Sequence, residues 1–226
     1  MGNGILFTQN KGDNPLNTGS AWNPTVVYNA EGSQTVIDGN YKNLVLSGGG
    51  TKSINPTGNN VHIVDLLSVL SSTELVTNNK LVISATLNSQ GAIGPLLDGA
   101  NISGNVRVNH YIKNGVEAKR GTRSLSSPID DSSIADKTFK QLKEWVIITG
   151  PGSTTNGFDA GSSAASLVTY YEPAHPQVES SFRPVTNINT SSTPGHGFQL
   201  FFRGNRVNLS LKLTSTQLTE NVIKVQ

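Results

Sequence analysis

Apolar and polar residues alternate along several short stretches in the first half of the chain. Such alternation occurs at Leu44/Leu46, Val61/Ile63, Leu67/Val69, Leu81/Ile83 and Val106/Val108. A period of two is typical of β-strands that bury one face and expose the other. The pattern therefore predicts a series of short, half-buried strands in this part of the chain.

These predicted strands recur at a nearly constant interval. The separations are 19, 20 and 19 residues along the series Leu44, Ile63, Ile83 and Ile102, with glycine or asparagine clusters between them. A period near 20 residues fits one coil of a β-solenoid, in which stacked coils share a continuous core. We therefore expect parallel coils over residues 25–112, with Ile63, Ile83 and Ile102 in one internal ladder.

An antiparallel sandwich is the alternative for the same region. Its hairpins would be marked by Asp-Gly or Asn-Gly pairs, which occur at Asp38-Gly39, Asp98-Gly99 and Asn114-Gly115. The spacing of the strands favours the solenoid. Residues 1–24 are rich in glycine, asparagine and proline, and Trp22 and Tyr28 are expected to cap the first coil.

The second half of the chain predicts one helix among further strands. Residues 130–146 place Ile134, Phe139, Leu142 and Val146 on a rough helical stripe, after a capping residue at 131–133. Strands are predicted at residues 145–149, 167–171, 182–185, 198–203 and 207–213.

These elements together predict an all-β fold with two domains. Residues 1–112 would form an N-terminal cap and a short right-handed parallel β-helix. Residues 113–226 would form an antiparallel β-sandwich, with one short helix near residues 133–145.

Composition excludes several classes of function. The net charge is +2 and no basic run exceeds two residues, so the footprint of a nucleic-acid-binding protein is absent. The chain has no cysteine, which excludes disulfides and thiolate chemistry. No apolar run is long enough to insert in a membrane. The first residues lack the features of a signal peptide, so we expect a piece of a longer exported protein.

The densest basic group and one aromatic pair are the candidate ligand-binding residues. Lys119, Arg120 and Arg123 either pair with strand acids or form a site for an acidic glycan. Tyr170 and Tyr171 either fill a core or stack on sugar rings as an exposed platform.

Acidic residues suggest calcium as the one possible cofactor. Asp130 and Asp131 are candidate ligands, although carboxylates at a helix N-terminus have the same pattern. Asp159 is a third candidate, with a turn residue as the simpler interpretation.

No catalytic residue is predicted. The histidines are scattered, and neither His-Glu-x-x-His nor Gly-x-Ser-x-Gly occurs. The run from Gly48 to Lys52 lacks the spacing of a phosphate loop and is interpreted as a solenoid corner. Residues 41–112 contain only Asp65, Glu74 and Asp98 as acids, which makes a polysaccharide-degrading β-helix enzyme the least favoured hypothesis.

Eight runs occur in a characteristic order along the chain. They are YKNLVLSGGGTK at 41–52, LVTNNKLVIS at 75–84, ISGNVRVNHYI at 102–112 and AKRGTRSLSSP at 118–128, followed by ITGPG at 148–152, NGFD at 156–159, LVTYYE at 167–172 and GFQLFFRGN at 197–205. In this order they resemble repeat modules of very long bacterial surface proteins of the type IX secretion, gliding and adhesin kind. The resemblance covers about residues 25–210. Gly121 departs from the pattern, which has an aromatic residue there, and 220–226 ends without a sorting domain.

The resemblance implies a non-enzymatic structural or adhesive module at the cell surface or outside the cell. Its expected partners are neighbouring modules or copies of itself, and surface glycans if it is instead a carbohydrate-binding module.

Overall fold

The computed structural model describes residues 4–112, 120–127, 138–171, 181–193 and 195–203, and the backbone of 221–225. The predicted strand at 207–213 and the first part of the predicted helix lie outside these residues. The chain forms two compact units, one comprising Met1–Tyr111 and Lys224–Gln226 and the other Ile112–Ile223. Strands dominate the described residues, as the all-β prediction requires.

The first unit contains two sheets. The strands of the larger sheet are β1 (Ile5–Thr8), β2 (Ser20–Tyr28), β4 (Gly39–Leu46), β6 (Val61–Val69), β8 (Leu81–Ile83), β9 (Ala92–Ile93), β11 (Val106–Ile112) and β16 (Asn221–Val225). Their order is β1-β2-β4-β6-β8-β11-β16, and β9 also pairs with β6. The smaller sheet has β3 (Gln34–Val36), β5 (Gly50–Ile54), β7 (Thr73–Val76) and β10 (Asn101–Ser103) in the order β10-β7-β5-β3.

Parallel stacking confirms the predicted solenoid. The pairings from β1 to β11 are parallel, and strands of successive coils lie side by side. The antiparallel alternative is therefore wrong for this region. Asp38-Gly39 and Asp98-Gly99 lie at corners between parallel strands rather than in hairpins.

Each coil bends within its longest strand. The pairing of β4 with β6 shifts register between Tyr41 and Asn43. The first part of β6 then continues the ladder to β8, whereas its second part pairs with β9. A coil thus contributes two strand segments to the larger sheet and one to the smaller sheet, and their inward side chains form the core.

The predicted internal ladder is confirmed between Ile63 and Ile83 but is wrong for Ile102. Ile63 and Ile83 are register neighbours and are buried. Ile102 instead pairs with Leu75 on the smaller sheet, and Leu44 pairs with Leu67. The corners contain different numbers of residues, so a constant spacing in sequence does not keep a constant position in the coil.

Two polar side chains occupy inward positions on the smaller sheet. Gln34 and Lys52 pair in register and are buried. The Lys52 ammonium donates to the carbonyl oxygens of Ala30 (2.5 Å), Gly32 (2.8 Å) and Gly49 (3.0 Å). Buried polar groups need such partners, so Lys52 links the corner between β2 and β3 to the corner between β4 and β5 from inside.

Tyr28 belongs to the core rather than to a cap. It is fully buried, and its hydroxyl lies 3.0 Å from the hydroxyl of Tyr41, which donates to the Ile37 carbonyl. Trp22 is only partly buried against the same core, together with Leu6 and Leu16. The prediction that Tyr28 caps the first coil is therefore wrong, because β1 pairs with β2 and places Thr8 beside Tyr28.

The second unit contains an antiparallel sheet. Its strands β12 (Gly121–Ser126), β13 (Leu167–Tyr170), β14 (Phe182–Pro184) and β15 (Gly197–Phe202) have the order β12-β15-β13-β14. The second layer expected for a β-sandwich is not found among the described residues. The α-helix α1 is short, Lys140–Lys143, and a 3₁₀ turn follows at Ser153–Asn156.

The strand predicted at residues 145–149 is not part of the sheets: Trp145 is exposed in a turn, and residues 146–149 are buried. Side chains satisfy part of its backbone: the N–H of Ile148 donates to Asp159 Oδ2 (2.8 Å), and the N–H of Thr149 donates to Ser166 Oγ (3.1 Å). An apolar run in the sequence indicates burial. It does not show whether the backbone N–H groups of that run bond to a neighbouring strand or, as here, to side chains.

Candidate functional site

The antiparallel sheet has one buried and one accessible face. Phe198, Leu200 and Phe202 of β15 are buried. Because side chains alternate across a strand, Gln199 lies on the other face, where it pairs with Ser124 of β12 and Val168 of β13. This second face is available to a ligand.

A cavity of about 590 Å³ lies on the accessible face, and we call it the aromatic cleft. It is lined mainly by Ser124, Tyr170, Tyr171, Phe182, His196 and Gln199. The exposed fractions of Tyr170, Tyr171 and Phe182 are 45%, 53% and 38%. Exposed aromatic side chains in a group are unusual on a monomer surface and mark interaction sites.

The rings are held in place by their neighbours. Tyr170 and Phe182 pair across β13 and β14, with ring centroids 5.2 Å apart. The guanidinium carbon of Arg183 lies 4.5 Å from the Tyr171 ring centroid, a cation–π contact. The N–H of Tyr171 donates to the Ser181 carbonyl (2.9 Å). The aromatic cleft is thus preformed, which lowers the entropic cost of binding.

The chemistry of the aromatic cleft combines flat apolar surfaces with polar hydrogen-bonding groups. Tyr170, Tyr171 and Phe182 offer ring faces, whereas Ser124, His196 and Gln199 offer a hydroxyl, an imidazole and an amide. Binding sites typically pair an apolar lining with a few convergent polar groups. Sugar rings match this combination because they have apolar faces and hydroxyl rims.

The structure brings together the predicted aromatic pair but not the predicted basic group. Arg123 pairs with Leu200, so it lies on the face opposite to the aromatic cleft. Arg120 immediately precedes β12 and is partly buried; burial lowers the pKa of its guanidinium. Lys119 lies outside the described residues. Arg123 therefore does not contribute to the same surface as Tyr170 and Tyr171.

Arg203 adds a positive charge at the other end of the accessible face. Its Nε donates to Ser166 Oγ (3.2 Å), and its guanidinium carbon is 4.8 Å from the Phe201 ring centroid. Burial, and then the charge of Arg120, lowers the pKa of Arg203. Arg203 also lines a hollow of about 310 Å³ with Phe201 and Gln199.

Asp159, one of the calcium candidates, has a clear structural role. Its carboxylate is almost fully buried and accepts from the Ile148 N–H, and Oδ1 lies 3.7 Å from Lys143 Nζ. The same ammonium donates to the carbonyls of Gly157 and Phe158. Asp130 and Asp131 lie outside the described residues. Within the described part of the chain, no group of three His, Cys, Asp or Glu side chains could hold a metal ion.

A second cavity, which sequence reasoning missed, lies in the solenoid unit. It measures about 400 Å³, and we call it the polar cavity. The lining includes Asp38, Asn40, Asn59, Asn60, His62 and Lys80. These residues come from three successive coils, so only an alignment of the coils could have revealed them.

Sequence reasoning also missed two residues of the aromatic cleft. It predicts Phe182 only as a strand residue, and no motif in the sequence marks His196 as a binding residue.

No helix among the described residues is long and apolar enough to cross a membrane. Comparison of the sequence and structure with protein-family models, curated proteins and solved structures gives no match.

Proposed function

We propose that this chain is a non-enzymatic binding module of a structural or adhesive protein at the cell surface or outside the cell. The aromatic cleft would be its contact site for surface glycans. The observation that carries this proposal is the group of three exposed, preformed aromatic side chains beside a hydroxyl, an imidazole and an amide.

The solenoid supports the structural part of the proposal. Stacked coils share a continuous apolar core, which is typical of repeating structural modules. The location outside the cell and the partners, which would be neighbouring modules or copies of the chain, rest on the resemblance to bacterial surface proteins.

A glycan array tests the proposal with the full chain and two variants. Tyr171→Ala removes the most exposed ring of the aromatic cleft, whereas Phe7→Ala removes a similarly exposed ring from β1 as a matched control. Loss of one stacking ring should weaken binding about tenfold, equivalent to about 1.4 kcal/mol. The control should bind like the original protein.

Equal binding by Tyr171→Ala and the original protein, or no binding to any glycan, would refute the proposal. Incubation with acidic and neutral polysaccharides tests the enzymatic alternative. New reducing ends or unsaturated products that accumulate with time would establish turnover and overturn the non-enzymatic part.

A further inference from the structure

We infer that the polar cavity of the solenoid unit is a second ligand-binding site, which takes a neutral, hydroxyl-rich ligand the size of one or two sugar rings. The inference concerns residues of the solenoid unit alone and does not depend on the aromatic cleft.

Backbone hydrogen bonds between coils fix the wall of the polar cavity. The N–H of Gly19 donates to the Asp38 carbonyl (3.1 Å), and the N–H of Gly39 donates to the Asn60 carbonyl (3.3 Å). The N–H of Val61 donates to the Lys80 carbonyl (2.9 Å). The cavity is therefore part of the ladder of the solenoid and keeps its shape without a ligand.

Neighbouring strands place side chains of different chemistry next to each other. Asn40 of β4 and His62 of β6 are register partners on the outward side of the sheet. His62 Nδ1 lies 3.2 Å from Ser84 Oγ, which fixes the imidazole ring. Asn40 is exposed, so its amide can reach a ligand in the cavity.

The carboxylate of Asp38 is the charged acceptor of the polar cavity. Asp38 is only 5% exposed and lines the cavity. Its Oδ2 accepts from Asn59 Nδ2 (3.2 Å), which holds the carboxylate in place. Hydrogen bonds to a charged acceptor are stronger than those between neutral groups, so a ligand hydroxyl that donates to Asp38 would anchor the ligand.

The charges of the lining select a neutral ligand. Asp38 contributes one negative charge and Lys80 one positive charge, so neither an anion nor a cation meets a complementary surplus. The amides of Asn40, Asn59 and Asn60 each donate and accept, which suits adjacent hydroxyl groups. The volume of about 400 Å³ lies within the range of small-molecule sites. The described lining has no Phe, Tyr or Trp ring, so we expect a dissociation constant near the millimolar range.

Saturation-transfer-difference NMR on the full chain tests the inference with glucose, galactose, mannose and N-acetylglucosamine as probes. Asp38→Asn removes the charged acceptor, and Asn40→Ala removes an exposed amide. Asn88→Ala changes an exposed asparagine at another corner and is the matched control. At least one sugar should give a signal with the original protein. Its affinity, measured from the concentration dependence of that signal, should fall about tenfold in the first two variants. The signal should persist in Asn88→Ala and in Tyr171→Ala.

Two results would overturn the inference. One is the absence of a signal with every probe. The other is a signal that Asn40→Ala leaves unchanged. Because Asn40 is exposed, this variant keeps the test valid even if Asp38→Asn fails to fold. A signal lost in Tyr171→Ala but kept in Asn40→Ala would assign the binding to the aromatic cleft. That outcome would contradict the second site while supporting the proposed function.

Discussion

Replacing Lys52 with methionine removes the ammonium from the solenoid core while keeping a side chain of similar length. In the structure this side chain is fully buried, and the ammonium donates to the carbonyls of Ala30, Gly32 and Gly49. The substitution therefore tests whether the corners between β2 and β3 and between β4 and β5 depend on these three hydrogen bonds.

The expected loss of stability follows from two opposing effects. The buried carbonyl of Ala30 costs about 1–3 kcal/mol when it is left without a partner, whereas water can reach the part-buried carbonyls of Gly32 and Gly49. The variant also avoids the burial of a charge, which opposes this loss. We expect the lost hydrogen bonds to outweigh the avoided burial, with a net loss of about 1–3 kcal/mol in the free energy of unfolding.

Urea unfolding measures this difference, with Lys42→Met as the matched control because Lys42 is exposed on β4. The control should change stability by less than about 0.5 kcal/mol. A Lys52→Met variant as stable as the original protein would refute the reasoning, because it would mean that the corner carbonyls need no internal donor.

The pH dependence gives an independent test of the same residue. Burial, together with the nearby charge of Lys11, lowers the pKa of Lys52 below its ordinary value, which is about 10.4 in an unfolded chain. Between these two values the unfolded chain binds more protons than the folded chain, so the stability of the original protein rises with pH. Lys52→Met lacks this contribution, so the stability difference between the two proteins should widen over that window.

The remaining predictions concern the core and one corner of the solenoid. Ile83→Ala should lower the free energy of unfolding by about 2–5 kcal/mol, and Ile102→Ala by less, because Ile102 is only partly buried; a loss below about 1 kcal/mol for Ile83→Ala would contradict the register. Gly48→Ala should destabilise more than Gly32→Ala in the same assay, although both positions have positive φ, 80° and 76°. A Cβ at Gly48 would lie 2.6 Å from the Ala30 carbonyl oxygen, whereas one at Gly32 meets no atom within 4 Å; equal losses would show that the corner is not tightly packed.

Much of the solenoid could be predicted from local patterns, but its register could not. Alternating apolar residues identified strands such as β6 and β8, and their recurrence indicated stacked coils. The period failed at Ile102 because the corners differ in length, so that residue falls on the smaller sheet beside Leu75. Lys52 was equally hidden, since a lysine at an inward position looks like a surface residue until its carbonyl partners are known.

The candidate sites, too, could be predicted only in part, because their residues come together through the strand register. The sequence predicts the adjacent residues Tyr170 and Tyr171 as candidate binding residues, and both line the aromatic cleft. Phe182 and His196 join them only through strand pairing and a loop distant in sequence. Asp38 was interpreted as part of a hairpin signal, because its neighbours in the polar cavity, such as His62 and Lys80, follow one coil or more later. Sites assembled from several coils need the register before they can be recognised.

The central claim is that the aromatic cleft binds glycans. The most direct test is to titrate the ¹⁵N-labelled full chain with the best array ligand and to map the amide shifts. Binding in the aromatic cleft predicts that the largest shifts cluster at Tyr170, Tyr171, Phe182 and residues 196–199, and that Tyr171→Ala needs about ten times more ligand to reach half of the full shift. Shifts confined to other parts of the chain, or an unchanged midpoint of the titration in Tyr171→Ala, would contradict the claim.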